Sequence, residues 1–184
     1  MEQAIPLKDK HIIFVGFMGV GKTTVGQKVA DALSREFVDT DREIEEQFQK
    51  PVAEIFQEFG EKRFREAEKQ TVTDICRESR GKVVALGGGA YMNEDIRRVC
   101  QEYGIVFHLD LSWEKLCERM HLLRDGRPLL QEKALHEIEE LYRRRKAFYE
   151  MGTINVCVDG LTPDEVTEQV VRRLEQMWAQ DVVQ

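Results

Sequence analysis

The chain has 184 residues, of which 42% are hydrophobic and 33% charged, and its formal net charge is −7. That length suits one α/β domain with a full core, and the acidic balance argues against general binding to nucleic acid, whose phosphates it would repel. No apolar run approaches the roughly 20 residues of a membrane span, and the N-terminus lacks the layout of a secretion signal, so the expected setting is the cytoplasm, away from membranes.

His11–Val15 is short, apolar and β-branched, which predicts a buried strand. Directly after it, Gly16-Phe17-Met18-Gly19-Val20-Gly21-Lys22-Thr23 fits GxxxxGK[ST], and Val25–Leu33 has helical spacing. Strand, Gly-rich loop and helix make a phosphate cradle: successive N–H groups turn inward and the helix N-terminus adds its positive dipole end. Lys22 supplies a cation for the β and γ phosphates, and the Thr23 hydroxyl suits magnesium.

A second strand, Phe37–Asp39, delivers Asp39-Thr40-Asp41. One carboxylate can orient a magnesium-bound water and the other can accept a proton from an attacking hydroxyl. The competing role for Asp41 is to cap the next helix, Arg42–Gln49. Helical spacing continues over Val52–Phe59 and Glu61–Arg80, the second carrying Arg65. A third strand, Lys82–Leu86, runs into Gly87-Gly88-Gly89, where a ligand can approach the backbone closely.

Beyond it come a helix over Glu94–Tyr103, a strand over Ile105–Leu109 and a helix over Trp113–Leu123. The Gly/Pro-containing break Arg124–Leu130 follows, and its Arg127 is either a surface residue or a cation for a transferring phosphoryl group. Leu135–Tyr149 is a helix with the run Arg143-Arg144-Arg145-Lys146, Ile154–Val158 is the fifth strand, and Thr162-Pro163 opens a last helix to Trp178. Charge runs on helices are usually solvated, yet a small acidic substrate needs one or two guanidinium forks, so Arg65 and Arg145 stay in view. Four cysteines, at 76, 100, 117 and 157, lack any CxxC spacing and read as reduced thiols.

Strands alternating with helices predict a parallel sheet covered on both faces, with ligands beyond the carboxyl ends of the strands. The phosphate loop, Asp39-Thr40-Asp41 and the glycine triplet should therefore meet at one rim. Nothing in the chain matches the NKxD-like guanine motif of a GTPase switch.

In order, GFMGVGKTTVG, FVDTD, EIFQEFGEKRFREAE, LGGGA, RPLL and RRRKAFY resemble the shikimate kinase family, over about His11 to Val158. The resemblance implies a three-layer P-loop NTPase fold of the nucleoside-monophosphate-kinase type, with a five-stranded parallel sheet. It implies a single domain over 1–184, with a lid about 119–131 and a substrate-binding region about 40–68. The implied reaction moves the γ-phosphoryl of ATP, with Mg²⁺, to the 3-hydroxyl of shikimate; a related kinase of another hydroxylated acid such as gluconate, or a non-catalytic ATP-binding paralogue, are the alternatives.

By the same resemblance, Lys22 and the backbone of Gly19, Val20, Gly21, Thr23 and Thr24 hold the ATP phosphates, with Thr23 on the metal and Asp39 near it through water. Asp41 holds the substrate hydroxyls and is the implied base or at least the orienting acceptor, Arg65 and Arg145 grip the substrate carboxylate, and Gly88 offers an N–H. Val52, Phe56 and Phe64 line the substrate pocket, Glu68 steadies Arg65, Arg127 is the lid cation and Arg119 stacks on adenine. The stretch Val158–Pro163 is shorter than the family's adenine-side loop. With no heptad run, the expected state is a monomer.

Overall fold

The computed structural model describes residues 5–123 and 134–181. Five parallel strands, β1 (His11–Val15), β2 (Phe37–Asp39), β3 (Val83–Ala85), β4 (Gly104–Asp110) and β5 (Ile154–Cys157), form one sheet in the order β2-β3-β1-β4-β5. Every residue of β1 is buried, as expected of a central strand covered on both faces, and this is why its apolar run does not alternate. The predicted strands are all present, with ends shifted by one residue on β3, β4 and β5.

Helices α1 (Lys22–Leu33), α2 (Thr40–Phe48), α3 (Val52–Glu78), α4 (Glu94–Tyr103), α5 (Trp113–Leu123), α6 (Leu135–Tyr149) and α7 (Pro163–Asp181), with short 3-10 turns at Leu7–Asp9 and Ala90–Met92, complete the described elements. Helices α1 and α7 pack together, as do α3 and α4, and the helices flank the sheet in three layers. The two helices predicted over 52–80 run as one span broken at Gly60, where φ is +81° and ψ 163°. Only glycine adopts that conformation cheaply, so the break is written into the sequence. At the start of α7 the Thr162 hydroxyl accepts from Glu165 N at 3.3 Å while Glu165 Oε2 accepts from Thr162 N at 2.7 Å, the reciprocal cap that Thr162-Pro163 promised.

A large hydrophobic cluster, including Ile12, Phe14, Val29, Val84, Phe107 and Leu174, fills the space between sheet and helices. A second, small cluster of Ile44, Ile55, Phe64 and Ala67 lies under α2 and the middle of α3. All four cysteines are free thiols, with Cys76 and Cys100 buried and Cys157 exposed. No helix among the described residues is long and apolar enough to cross a membrane.

Candidate active site

The phosphate loop leaves β1 and enters α1 at Gly21, which caps the helix with φ +103°. Lys22 curls back over the loop, its Nζ donating to Gly16 O at 2.8 Å and Phe17 O at 3.1 Å. One residue on, the Thr23 hydroxyl donates to Asp39 Oδ2 at 2.7 Å and so ties the loop to the end of β2. The other Asp39 oxygen accepts from Asp41 N at 3.1 Å.

Asp39, not Asp41, therefore caps α2, and the helix begins at Thr40 rather than Arg42. Capping would have turned the Asp41 carboxylate onto backbone; instead it sits in the first turn beside the glycine triplet. Burial, and then the charge of Asp39, push its carboxyl above the usual range, while Lys22 and Arg65 pull against them. Such a carboxylate is a stronger proton acceptor than a solvated one.

The triplet after β3 is a floor on which charged side chains rest. A Cβ on Gly87 would lie 2.5 Å from Asp41 Oδ1 and 3.1 Å from Glu68 Oε1, and one on Gly89 would lie 2.6 Å from Arg65 Nη2. A Cβ on Gly88 would lie 3.7 Å from both Arg145 Nη1 and Met18 N, so acceptor floor and phosphate loop adjoin there. Thr40, wholly buried between the two aspartates, accepts from Gly87 N at 3.0 Å, and the Tyr149 hydroxyl donates to Gly88 O.

Arg65 is held from its own helix, with Nη1 donating to Glu68 Oε2 at 2.7 Å and Nε 3.5 Å from Glu61 Oε1. Its guanidinium also lies 5.8 Å from the Phe56 ring centre and 5.3 Å from that of Phe64. Glu68 is buried, and its Oε1 has no hydrogen-bond partner among the described residues. Burial raises its pKa against the pull of Arg65. Phe64 belongs to the small core, and Val52 and Phe56 pack against that core.

The run on α6 sorts by helical face. Arg143 pairs with Glu139 at 2.7 Å on the exposed side, whereas Lys146 places Nζ 2.9 Å from both Asp110 oxygens at the end of β4. Arg145 turns to the glycine triplet, 5.9 Å from the Phe17 ring centre. Next to the Lys146–Asp110 pair, His108 is buried, and burial takes its pKa down to about 4 despite Asp110, so the imidazole near Lys22 is neutral.

Arg119 lies on α5 on the side of Asp159. Burial pushes Asp159 up, but its bonds from Ser112, including Ser112 N at 2.8 Å, and the charges of Lys115 and Arg119 outweigh it and hold the carboxyl below the usual range. The short Val158–Pro163 stretch is thus pinned to the end of β4. Arg127 and most of the expected lid lie outside the described residues.

No group of three or more His, Cys, Asp or Glu among the described residues is arranged to hold a metal. Thr23 Oγ1 and Asp39 Oδ2, two hard oxygens 2.7 Å apart beside a phosphate loop, nevertheless fit Mg²⁺, which keeps several waters and takes few protein ligands.

The shikimate kinase family model matches residues 18–175. The chain belongs to the shikimate kinase family. A shikimate kinase of Bacillus subtilis (strain 168) is 44% identical over 177 residues, covering 96% of this chain and 95% of its own. That of Geobacillus thermodenitrificans is 43% identical over 178 residues, with the same coverage. Among solved structures, the shikimate kinase from Acinetobacter baumannii in complex with shikimate superposes with a TM-score of 0.82 at 29% identity, covering 92% of this chain and 95% of that one. A gluconokinase from Sinorhizobium meliloti shares the fold, with a TM-score of 0.57 at 17% identity.

Sequence reasoning singled out Asp39, Asp41, Arg65, Gly88 and Arg145, and the fold brings them to one rim with the phosphate loop. It missed Thr40 and Tyr149, whose hydroxyls hold the triplet. The signal for Tyr149 was its place four residues after Arg145, on the same helical face.

Proposed function

We propose that this rim is where the family's reaction takes place, with nucleotide on the Gly16–Thr24 side and acceptor on the Gly87–Gly89 side. As a shikimate kinase the protein uses ATP to phosphorylate the 3-hydroxyl of shikimate, giving shikimate 3-phosphate and ADP. The observation that carries the placement is the convergence of Asp41, Arg65 and Arg145 on three glycines that adjoin Met18 of the phosphate loop.

In this reading the N–H groups of Gly19 to Thr24 and Lys22 Nζ bind the phosphates, and Thr23 with Asp39 would hold Mg²⁺. Held there, the ion would supply neutralisation of phosphate charge. Arg65 and Arg145 take the shikimate carboxylate in charge-assisted hydrogen bonds, and Gly88 N–H adds a neutral one. Asp41 accepts the proton of the 3-hydroxyl as its oxygen attacks the γ-phosphorus and ADP leaves. Arg119 serves the adenine side, and Arg127, by its motif, covers the transferring group.

The small core under 40–68 supports treating that stretch as a substrate-binding region within one domain; the lid at about 119–131 rests on the family motif alone. The net charge of −7 speaks against nucleic acid as a partner, and in this reading the setting is the cytoplasm, away from membranes, and the state a monomer. Measuring ADP release with shikimate, with gluconate and with neither tests the assignment: turnover should require shikimate. Turnover with gluconate would select the related sugar-acid kinase, and none with either would select the non-catalytic paralogue.

A further inference from the structure

Three successive glycines have no side chains with which to hold themselves, yet two hydroxyls hold them from outside. Thr40 takes Gly87 N from the α2 side, and Tyr149 gives its proton to Gly88 O from the α6 side. Tyr149 is 1% exposed, and it follows Arg145 by one helical turn, so both side chains leave the same face of α6. Arg145 Nη1 comes near the same residue, within 3.7 Å of where a Cβ on Gly88 would sit.

The peptide bonds are trans, and in a trans peptide the carbonyl and the following N–H point in opposite directions. Fixing Gly88 O on Tyr149 therefore fixes the plane of the Gly88–Gly89 peptide, with Gly89 N–H pointing away from that phenol.

We propose that Tyr149 is a positioning residue for the phosphoryl acceptor: its hydroxyl locks the Gly88–Gly89 peptide and the adjoining Arg145 guanidinium into one surface that receives a carboxylate. That role presupposes the Arg145 grip proposed above. Acid–base chemistry is not part of it, because burial pushes the phenol up to about 12 against the pull of Arg145, and the proton stays in place through the working range.

A second buried phenol supplies the control. Tyr91 is 0% exposed and donates to Met151 O at 2.9 Å, tying down the turn after α6 without touching a carbonyl of the triplet.

The experiment compares Tyr149→Phe, Tyr91→Phe and Arg145→Ala in steady-state kinetics, with shikimate and ATP each varied. Removing one phenol oxygen leaves the ring that fills the core, so both Phe variants fold, and unchanged ADP affinity verifies it. Tyr149→Phe should raise the shikimate KM about tenfold, the scale of one buried hydrogen bond, with the ATP KM and the shape of the pH profile unchanged. Tyr91→Phe should leave the shikimate KM within about twofold. A normal shikimate KM in Tyr149→Phe, with a raised one in Arg145→Ala, would overturn the Tyr149 role alone. An equal rise in Tyr91→Phe would reduce Tyr149 to a packing residue, and a normal shikimate KM in Arg145→Ala would overturn the grip and the Tyr149 role together.

Discussion

At Gly21 the backbone has φ +103° and a side chain would meet nothing within 4 Å, whereas at Gly87 and Gly89 a Cβ would fall 2.5 Å from Asp41 Oδ1 and 2.6 Å from Arg65 Nη2. At Gly21 the phosphate loop uses glycine for conformation, at Gly16 for conformation and space together, since a Cβ there would lie 2.7 Å from Leu109 O, and the acceptor floor uses Gly87 and Gly89 for space. One site is shaped by the path of the chain, the other by the side chains laid on it. The two halves of the rim should therefore fail separately when altered.

Asp41→Asn bears on the comparison most heavily. Turnover should fall by about 10²–10⁴-fold, the span of a general base, while ADP affinity is unchanged; full activity in that variant removes the carboxylate from the chemistry. Arg145→Ala comes next, with a shikimate KM raised about 10–100-fold and an ATP KM held, as expected for losing charged hydrogen bonds. An equal rise in both constants would mean that the halves are not separable.

Gly89→Ala and Gly21→Ala set the two uses of glycine against each other. The atoms in the way at residue 89 are the tip of the flexible Arg65 side chain, so the variant should fold with a displaced guanidinium and a shikimate KM about tenfold higher. At residue 21 the strain of a left-handed alanine, about 1 kcal/mol, should weaken ATP binding instead. The reverse pattern in nucleotide and acceptor titrations would erase the distinction.

The smallest effect is on stability. The Asp41 pKa is raised in the folded state, so the native protein binds that proton more tightly than the unfolded chain. The contribution favours folding most below the ordinary carboxylate pKa of about 3.9 and is lost as pH rises through the raised value, leaving an ionised group that is a burden at pH about 7. Asp41→Asn should then melt higher at neutral pH, with the gain vanishing in acid. A lower Tm at neutral pH would contradict the burial argument.

Strands, helices and the Gly60 break were legible because burial on both faces and positive φ leave local marks in the chain. The start of α2 was not: Asp39 and Asp41 are both good caps, and the choice fell to Asp39, which Thr23 holds from another element. Nor could spacing sort Arg143 to Lys146, since four consecutive cations cover nearly every helical face; the family resemblance alone pointed to Arg145, and the neighbours Glu139, Asp110 and Gly88 distinguish the cations physically. Tyr149 reads as an ordinary aromatic core residue: its spacing puts it on the face of Arg145, but its hydrogen bond is visible only once the distant Gly88 carbonyl is beside it.

The separate cluster of Ile44, Ile55, Phe64 and Ala67 has a consequence for how the protein breathes. So small an apolar patch supports a local cooperative unit that opens at lower free energy than the sheet. Amide protons of α2 and of α3 before Gly60 should exchange with solvent well ahead of those in β1 and α1. Asp41 rides on the readily loosened unit, while the triphosphate cradle is anchored in the slowest-exchanging layer, so a bound acceptor should add more protection than a bound nucleotide.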